Sequence, residues 1–179
     1  MKTLKKIITA GLIAITITTS FAQRGGRNIY NWALGVRYEF QGGINEQNSL
    51  PTVLLGPTFK YLLDPQKDIE IMYLSDFSNG TDIYAMFHIF NPFPEIPQNF
   101  RYYAGLGGHG GRWRFDKKSN AKFDAGIDGQ IGVELIGRKI PLAVSFDWHP
   151  SFNVMSIDPK DPKLLLLKLG ITLKYAYKH

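Results

Sequence analysis

The stretch Tyr30-Asn31-Trp32-Ala33-Leu34-Gly35-Val36-Arg37-Tyr38-Glu39-Phe40 decides the fold. Tyr30, Trp32, Leu34, Val36, Tyr38 and Phe40 fall on one face, and Asn31, Ala33, Gly35, Arg37 and Glu39 on the other. Alternation of this kind is the signature of a strand with two unlike faces. The run is long for a soluble strand and matches what a tilted strand needs to cross a bilayer. Aromatics stand near both ends of the apolar face, where such a strand would meet the two interfaces.

The pattern recurs along the chain. Residues 52–63 set Val53, Leu55, Phe59 and Tyr61 against Gly56, Thr58 and Lys60. After Asp64-Pro65-Gln66-Lys67, Ile69, Ile71 and Tyr73 oppose Glu70, Met72 and Leu74. Ser78-Asn79-Gly80 signals a hairpin. Ile83, Ala85, Phe87 and Ile89 then oppose Asp82, Tyr84, Met86 and His88. The fifth run sets Phe100, Tyr102, Ala104 and Leu106 against Arg101, Tyr103, Gly105 and Gly107. The sixth sets Ile127, Ile131, Val133 and Leu135 against Asp128, Gln130, Gly132 and Glu134. Past Gly137-Arg138-Lys139, Leu142, Val144, Phe146 and Trp148 oppose Ala143, Ser145, Asp147 and His149. The last run sets Leu165, Leu167, Leu169, Ile171, Leu173, Tyr175 and Tyr177 against Leu166, Lys168, Gly170, Thr172 and Lys174. The reading is all-β: a transmembrane, eight-stranded, antiparallel up-and-down β-barrel.

The content of the two faces separates a membrane barrel from a soluble one. A soluble lipocalin-like barrel turns its apolar face inward. Here glycine and alanine are mixed with charges of both signs on one face, which suits a lumen too narrow for many long side chains. The other face is Leu, Ile, Val, Phe, Tyr and Trp, as lipid contact requires. Pro57 conflicts with a closed ladder, and a bulge is the expected remedy.

The amino terminus reads as a secretory signal. Lys2, Lys5 and Lys6 precede the apolar run Ile7–Ile17, and Ser20 and Ala22 flank Phe21 before the expected cleavage at Ala22–Gln23. The apolar run is too short to span the hydrocarbon. The domains are therefore a signal peptide at 1–22 and a barrel at 23–179, exported by the Sec route. The chain's net charge is +6, and half of it belongs to those three lysines. The remaining basic residues are scattered, so no nucleic-acid footprint is present. With no cysteine in the sequence, disulfide scaffolds and thiolate zinc sites are excluded. No cofactor and no metal site is expected.

Several phrases carry a family resemblance: Gly56-Pro57-Thr58-Phe59-Lys60-Tyr61-Leu62, Tyr102-Tyr103-Ala104-Gly105-Leu106-Gly107-Gly108-His109, Gly126-Ile127-Asp128-Gly129-Gln130-Ile131-Gly132-Val133-Glu134, and the stretch from Ile140-Pro141-Leu142 to Phe146-Asp147-Trp148-His149-Pro150. Through them the chain resembles the small Gram-negative outer-membrane β-barrel proteins of the OmpX/OmpA type. The resemblance implies periplasmic termini, an outer-membrane location and monomeric state. Lipid and lipopolysaccharide are the implied partners, with the barrel-assembly machinery during biogenesis. Loops at Gln41–Pro51, Arg114–Asp124 and Pro150–Lys163 would then face outward. Where such barrels often end on an aromatic residue, this chain has Lys178-His179 after Tyr177.

The inner-face charges form the most populated constellation. Arg37, Lys60, Arg101, Lys168 and Lys174 are expected to meet Glu39, Glu70, Asp82, Asp128, Glu134 and Asp147 as a salt-bridged plug, because buried charges need partners. A gated ion path is the sharper alternative. His149 and Ser151 resemble part of the lipid A deacylase motif, with Asp147 as the local carboxylate. A rim histidine beside a loop serine explains them equally well. Gly105, Gly107, Gly108, Gly110 and Gly111 lack the helix and the Lys-Ser/Thr signature of a phosphate loop, and read as space for larger residues opposite. The expectation is a non-enzymatic barrel acting in envelope integrity or surface-loop presentation. The alternatives are a lipid A-modifying enzyme and a soluble periplasmic ligand binder.

Overall fold

A computed structural model describes residues 30–42, 52–92, 99–113, 122–137, 139–156 and 164–177. The expected signal, Arg138, the closing Lys178-His179 and most of the expected outward loops lie outside the described residues. Ten strands are present: β1 Trp32–Gln41, β2 Thr52–Asp64, β3 Lys67–Ser75, β4 Gly80–Pro92, β5 Phe100–Trp113, β6 Lys122–Ile136, β7 Leu142–Trp148, β8 Ser151–Ser156, β9 Leu164–Leu165 and β10 Lys168–Tyr177. All pairings are antiparallel, β5 meets β6 and β1 meets β10, so the sheet closes on itself. β7 and β8 are one interrupted stave, as are β9 and β10. The ten segments therefore make an eight-stranded barrel.

The alternation sorts inside from outside as expected. Leu34, Val36, Ile71, Ile83, Ile131, Phe146, Ile171 and Leu173 are each at least half exposed, while Arg37, Glu39, Lys60, Glu70 and Glu134 are buried. This is a protein turned inside out, with its apolar surface outward. Inward glycines make it possible. A β-carbon at Gly132 would stand 2.6 Å from Asp147 Cβ and 2.7 Å from Tyr103 Cζ. One at Gly170 would run into the Arg37 guanidinium. The glycine run of β5 is strand throughout, and Gly105 gives its space to the His88 ring.

Three expectations need correction. Pro57 faces Val36 in unbroken register with β1. No bulge forms there; instead the ladder to β3 passes from Leu55–Ser75 to Thr58–Met72 without pairs at Gly56 and Pro57. The bulge of this strand lies between Leu62 and Asp64. Tyr30, expected outward, precedes β1 and is fully buried, free of the strand's phase. The last expected strand is not continuous either. Trp148 faces Leu169 and Ser151 faces Leu165, so three steps on one stave match four on the next. A one-residue slip reverses the faces. Leu166 and Leu167 absorb it, both exposed, where Leu166 was expected inside. The indole Nε1 of Trp148 donates to the Leu166 carbonyl at 2.5 Å across this break.

The β3–β4 turn stands outside the spanning strands. Asp76 Oδ1 accepts from the N–H groups of Ser78 (3.1 Å), Asn79 (2.7 Å) and Gly80 (2.8 Å). Partial burial pushes the Asp76 carboxyl up, but these hydrogen bonds outweigh it and hold the group below its ordinary value. A carboxylate held low adds stability that is complete at neutral pH and is lost as pH falls through the folded value. Protection of these three amides, relative to an unstructured peptide, should therefore stay constant down to about pH 4 and fall below it. In the wall, Gly132→Leu should cost about 1–3 kcal/mol by overpacking. The outward substitution Ile131→Leu next to it should be nearly silent; denaturant unfolding in micelles measures both.

Candidate functional site

The barrel interior is the candidate site, and the pairing register explains its layout. At the terminus end, Lys60 of β2 faces Glu70 of β3, and Arg101 of β5 faces Glu134 of β6. Glu134 accepts from Arg101 Nε (2.9 Å) and Nη2 (2.5 Å), from the Tyr30 hydroxyl (3.0 Å) and from Lys60 Nζ (3.2 Å). Lys60 also lies 3.1 Å from Glu70 and 3.5 Å from Asp68. Lys174 stands 2.9 Å from Glu70. Nδ1 of His88 is 2.7 Å from Asp68, and its Nε2 is 2.9 Å from the Gln130 amide oxygen. Phe90 lies under the Arg101 guanidinium at 3.8 Å, adding a cation–π contact.

The middle belongs to Arg37. Its two terminal nitrogens grip Asp147 at 2.8 and 2.6 Å, and Nε and Nη2 donate to Glu39 at 3.0 and 2.9 Å. Such forked pairs are among the stronger charge-assisted hydrogen bonds. Tyr103 donates to Asp147 at 2.9 Å, and His149 Nδ1 meets Glu39 at 2.8 Å.

Towards the opposite end, Lys168 Nζ donates to Ser151 Oγ (2.7 Å) and to the Tyr84 hydroxyl (3.2 Å) and lies 3.4 Å from Glu39. Ser151 in turn makes a short hydrogen bond to Asp128, which also meets His109 Nδ1 at 2.8 Å. Asp82 accepts from Tyr84 (3.0 Å) and the Trp113 indole (2.7 Å). All eleven charged residues expected inside are buried there.

The weak catalytic trio is rearranged. Ser151 is not on a loop: it opens β8, and it is as buried as His149. Its proton goes to Asp128, while His149 Nε2, the atom a triad would aim at the serine, has no hydrogen-bond partner. Asp147 serves Arg37, and the carboxylate on His149 is Glu39. Ser151 thus stands between the Lys168 ammonium and the Asp128 carboxylate and not against the His149 imidazole. Among the described residues, no group of three or more His, Asp or Glu side chains is arranged to hold a metal ion.

Sequence reading missed Asp68, His88, Gln130, Tyr30, Tyr84, Tyr103 and His109 as members of the network. Asp68 was legible, since the alternation of β3 continues back from Glu70 to it. Tyr84 and Tyr103 carried the inward phase, but a tyrosine hydroxyl reveals no partner until the opposite wall is known.

A closed eight-stranded antiparallel barrel with apolar residues outside and ion pairs inside is the fold of the small outer-membrane barrels of the OmpA kind. Among solved structures, the crystal structure of the N-terminal β-barrel domain of Pseudomonas aeruginosa OprF superposes on it with a TM-score of 0.56. The match covers 80% of this chain and 97% of that one at 10% sequence identity, a likeness of fold alone. No protein-family model and no curated protein sequence matches the chain.

Arg37→Ala should be the most damaging single change inside the barrel. Removing one partner of a buried pair costs about 3–5 kcal/mol, and here two carboxylates lose theirs. The combination Arg37→Met, Glu39→Gln, Asp147→Asn should recover most of the loss, read by denaturant unfolding in micelles.

Proposed function

We propose that this chain is a non-enzymatic integral outer-membrane protein, exported by a cleavable signal. Its interior ion pairs close the lumen to solutes. The barrel contributes to envelope integrity or displays its loops at the surface. The observation that carries this reading is the pairing of an apolar exterior with a charged, packed interior. Thirty or more outward Leu, Ile, Val, Phe, Tyr, Trp and Met side chains are too much apolar surface for water. Lipid is the environment that accepts such a wall, provided the sheet closes on itself, as it does here. A soluble ligand binder would need the opposite arrangement. Lipid and lipopolysaccharide are the proposed surroundings, the barrel-assembly machinery the proposed partner in biogenesis, and the monomer the working unit.

The interior supports closure. Eight strands leave room for little beyond side chains, and the largest fully buried ones include Arg37, Tyr84, Tyr103, Lys60, Phe90, Lys168 and Lys174. Opening a continuous water path would separate pairs whose partners lie on opposite staves.

The refolded protein should migrate differently on gels before and after boiling and should resist extraction from membranes at high pH. Recovery as a soluble periplasmic protein overturns the reading. In planar bilayers it should give no steady ohmic pore, and vesicles containing it should not swell in sugar solutions. Lipid A from cells making wild-type protein should match that from cells making Ser151→Ala and from cells lacking the protein.

A further inference from the structure

Phe77 is the only non-glycine residue with positive φ among the described residues, at 62°. It is also the most exposed large hydrophobic among the described residues, at 79%. A bulky residue in the left-handed region is an outlier, and the residues that enter it at little cost are glycine and asparagine. Asn79 and Gly80 occupy the same turn, yet the aromatic takes the strained place.

The turn holds it there. Ser75 Oγ accepts from the Phe77 N–H at 2.9 Å and donates to the Gly80 carbonyl at 2.9 Å. Asp76 gathers three backbone N–H groups and, at 2.7 Å, the Asn79 amide. The polar side chains of the tip are thus engaged within the turn, and the phenyl ring stands outside their network. Strain kept where the surroundings enforce it is a pointer to use.

Height identifies the use. Lys67, half exposed and 3.4 Å from Asp64, marks the charged edge of the wall at the terminus end. From Lys67 to Ser75, the length of β3, is about 26 Å at about 3.3 Å per residue, or about 20 Å of height at a strand tilt of about 40°, and the turn carries Phe77 beyond that. An outer-membrane barrel's apolar band is about 25 Å tall. The tip therefore falls at the far edge of that band. Directly below it, Tyr73 and Ile83 face each other across the hairpin, both outward and about half exposed.

We propose that Phe77 is a lipid anchor, its ring seated at the headgroup–acyl boundary of the leaflet opposite the chain termini. It fixes how deep this hairpin rides. The inference rests on the membrane reading above, and the test separates the two. The full chain carrying p-benzoylphenylalanine at position 77 is refolded into vesicles of phosphatidylethanolamine and phosphatidylglycerol and irradiated. A second sample carries the probe at Leu173, an outward residue of the wall. Lipid adducts at both positions are expected. Adducts at 173 with none at 77, or with only protein adducts at 77, overturn the anchor and leave the barrel in its membrane. Absence of lipid adducts at both removes the membrane reading and the anchor together. A stability comparison adds an independent arm. Phe77→Gly relieves the strain, so its unfolding midpoint should rise above wild type in small micelles. In vesicles the order should reverse, with Phe77→Trp restoring the wild-type value. An equal gain for the glycine variant in both media overturns the proposal.

Discussion

The rest of the structure depends on the Arg37 fork, clamped between Glu39 and Asp147. An isolated ion buried away from water costs several kcal/mol, so a guanidinium inside a narrow barrel dictates what surrounds it. It needs two carboxylates, supplied by its own strand and by β7. It needs space, supplied by the missing side chain of Gly170. Its carboxylates need further donors, found in Tyr103 and His149. Satisfying this one side chain ties together three staves, those of β1, β7 and β10.

The same logic divides the interior into two halves of different character. Near the termini, Lys60, Arg101 and Lys174 are matched by Asp68, Glu70 and Glu134. Towards the other end, Arg37 and Lys168 lie among Glu39, Asp128 and Asp147, Asp82 is held by Tyr84 and Trp113, and His109 and His149 lie against that acidic excess. Tyr103 sits between the halves: its hydroxyl belongs to Asp147, while its ring packs edge-on against His88 at 5.0 Å. Aromatic rings with one polar tip suit such a boundary.

Much of this was legible in the sequence. Period-two alternation gives a face to each residue, and it placed Arg37, Lys60, Glu134 and Lys168 inside without knowledge of any neighbour. It failed where the chain leaves the period: at Tyr30, which lies ahead of its strand, and at Leu166, where a slip of one residue reverses the faces. Partners were not legible. Asp147 lies two residues from His149 and on the same face, yet the imidazole takes Glu39 from a stave at the other end of the chain. Which carboxylate a lumen side chain meets is set by stave stagger, and stagger is a property of the closed ring.

Those long connections have a consequence for how the barrel can be made. Arg37 lies on the first stave, Asp147 on the seventh and Lys168 on the eighth. Glu134, on the sixth, is bound by Tyr30, which lies ahead of the first stave, and by Lys60 of the second. A sheet that has formed its early hairpins but not met its last staves leaves Arg37 without Asp147 and Glu39 without Lys168. Lipid rejects charges left without partners, as it rejects an unfinished edge. On the membrane reading proposed above, full pairing of these charges and closure of the sheet come together, when first and last staves meet. The ion pairs act as a proof of completion, written in charge.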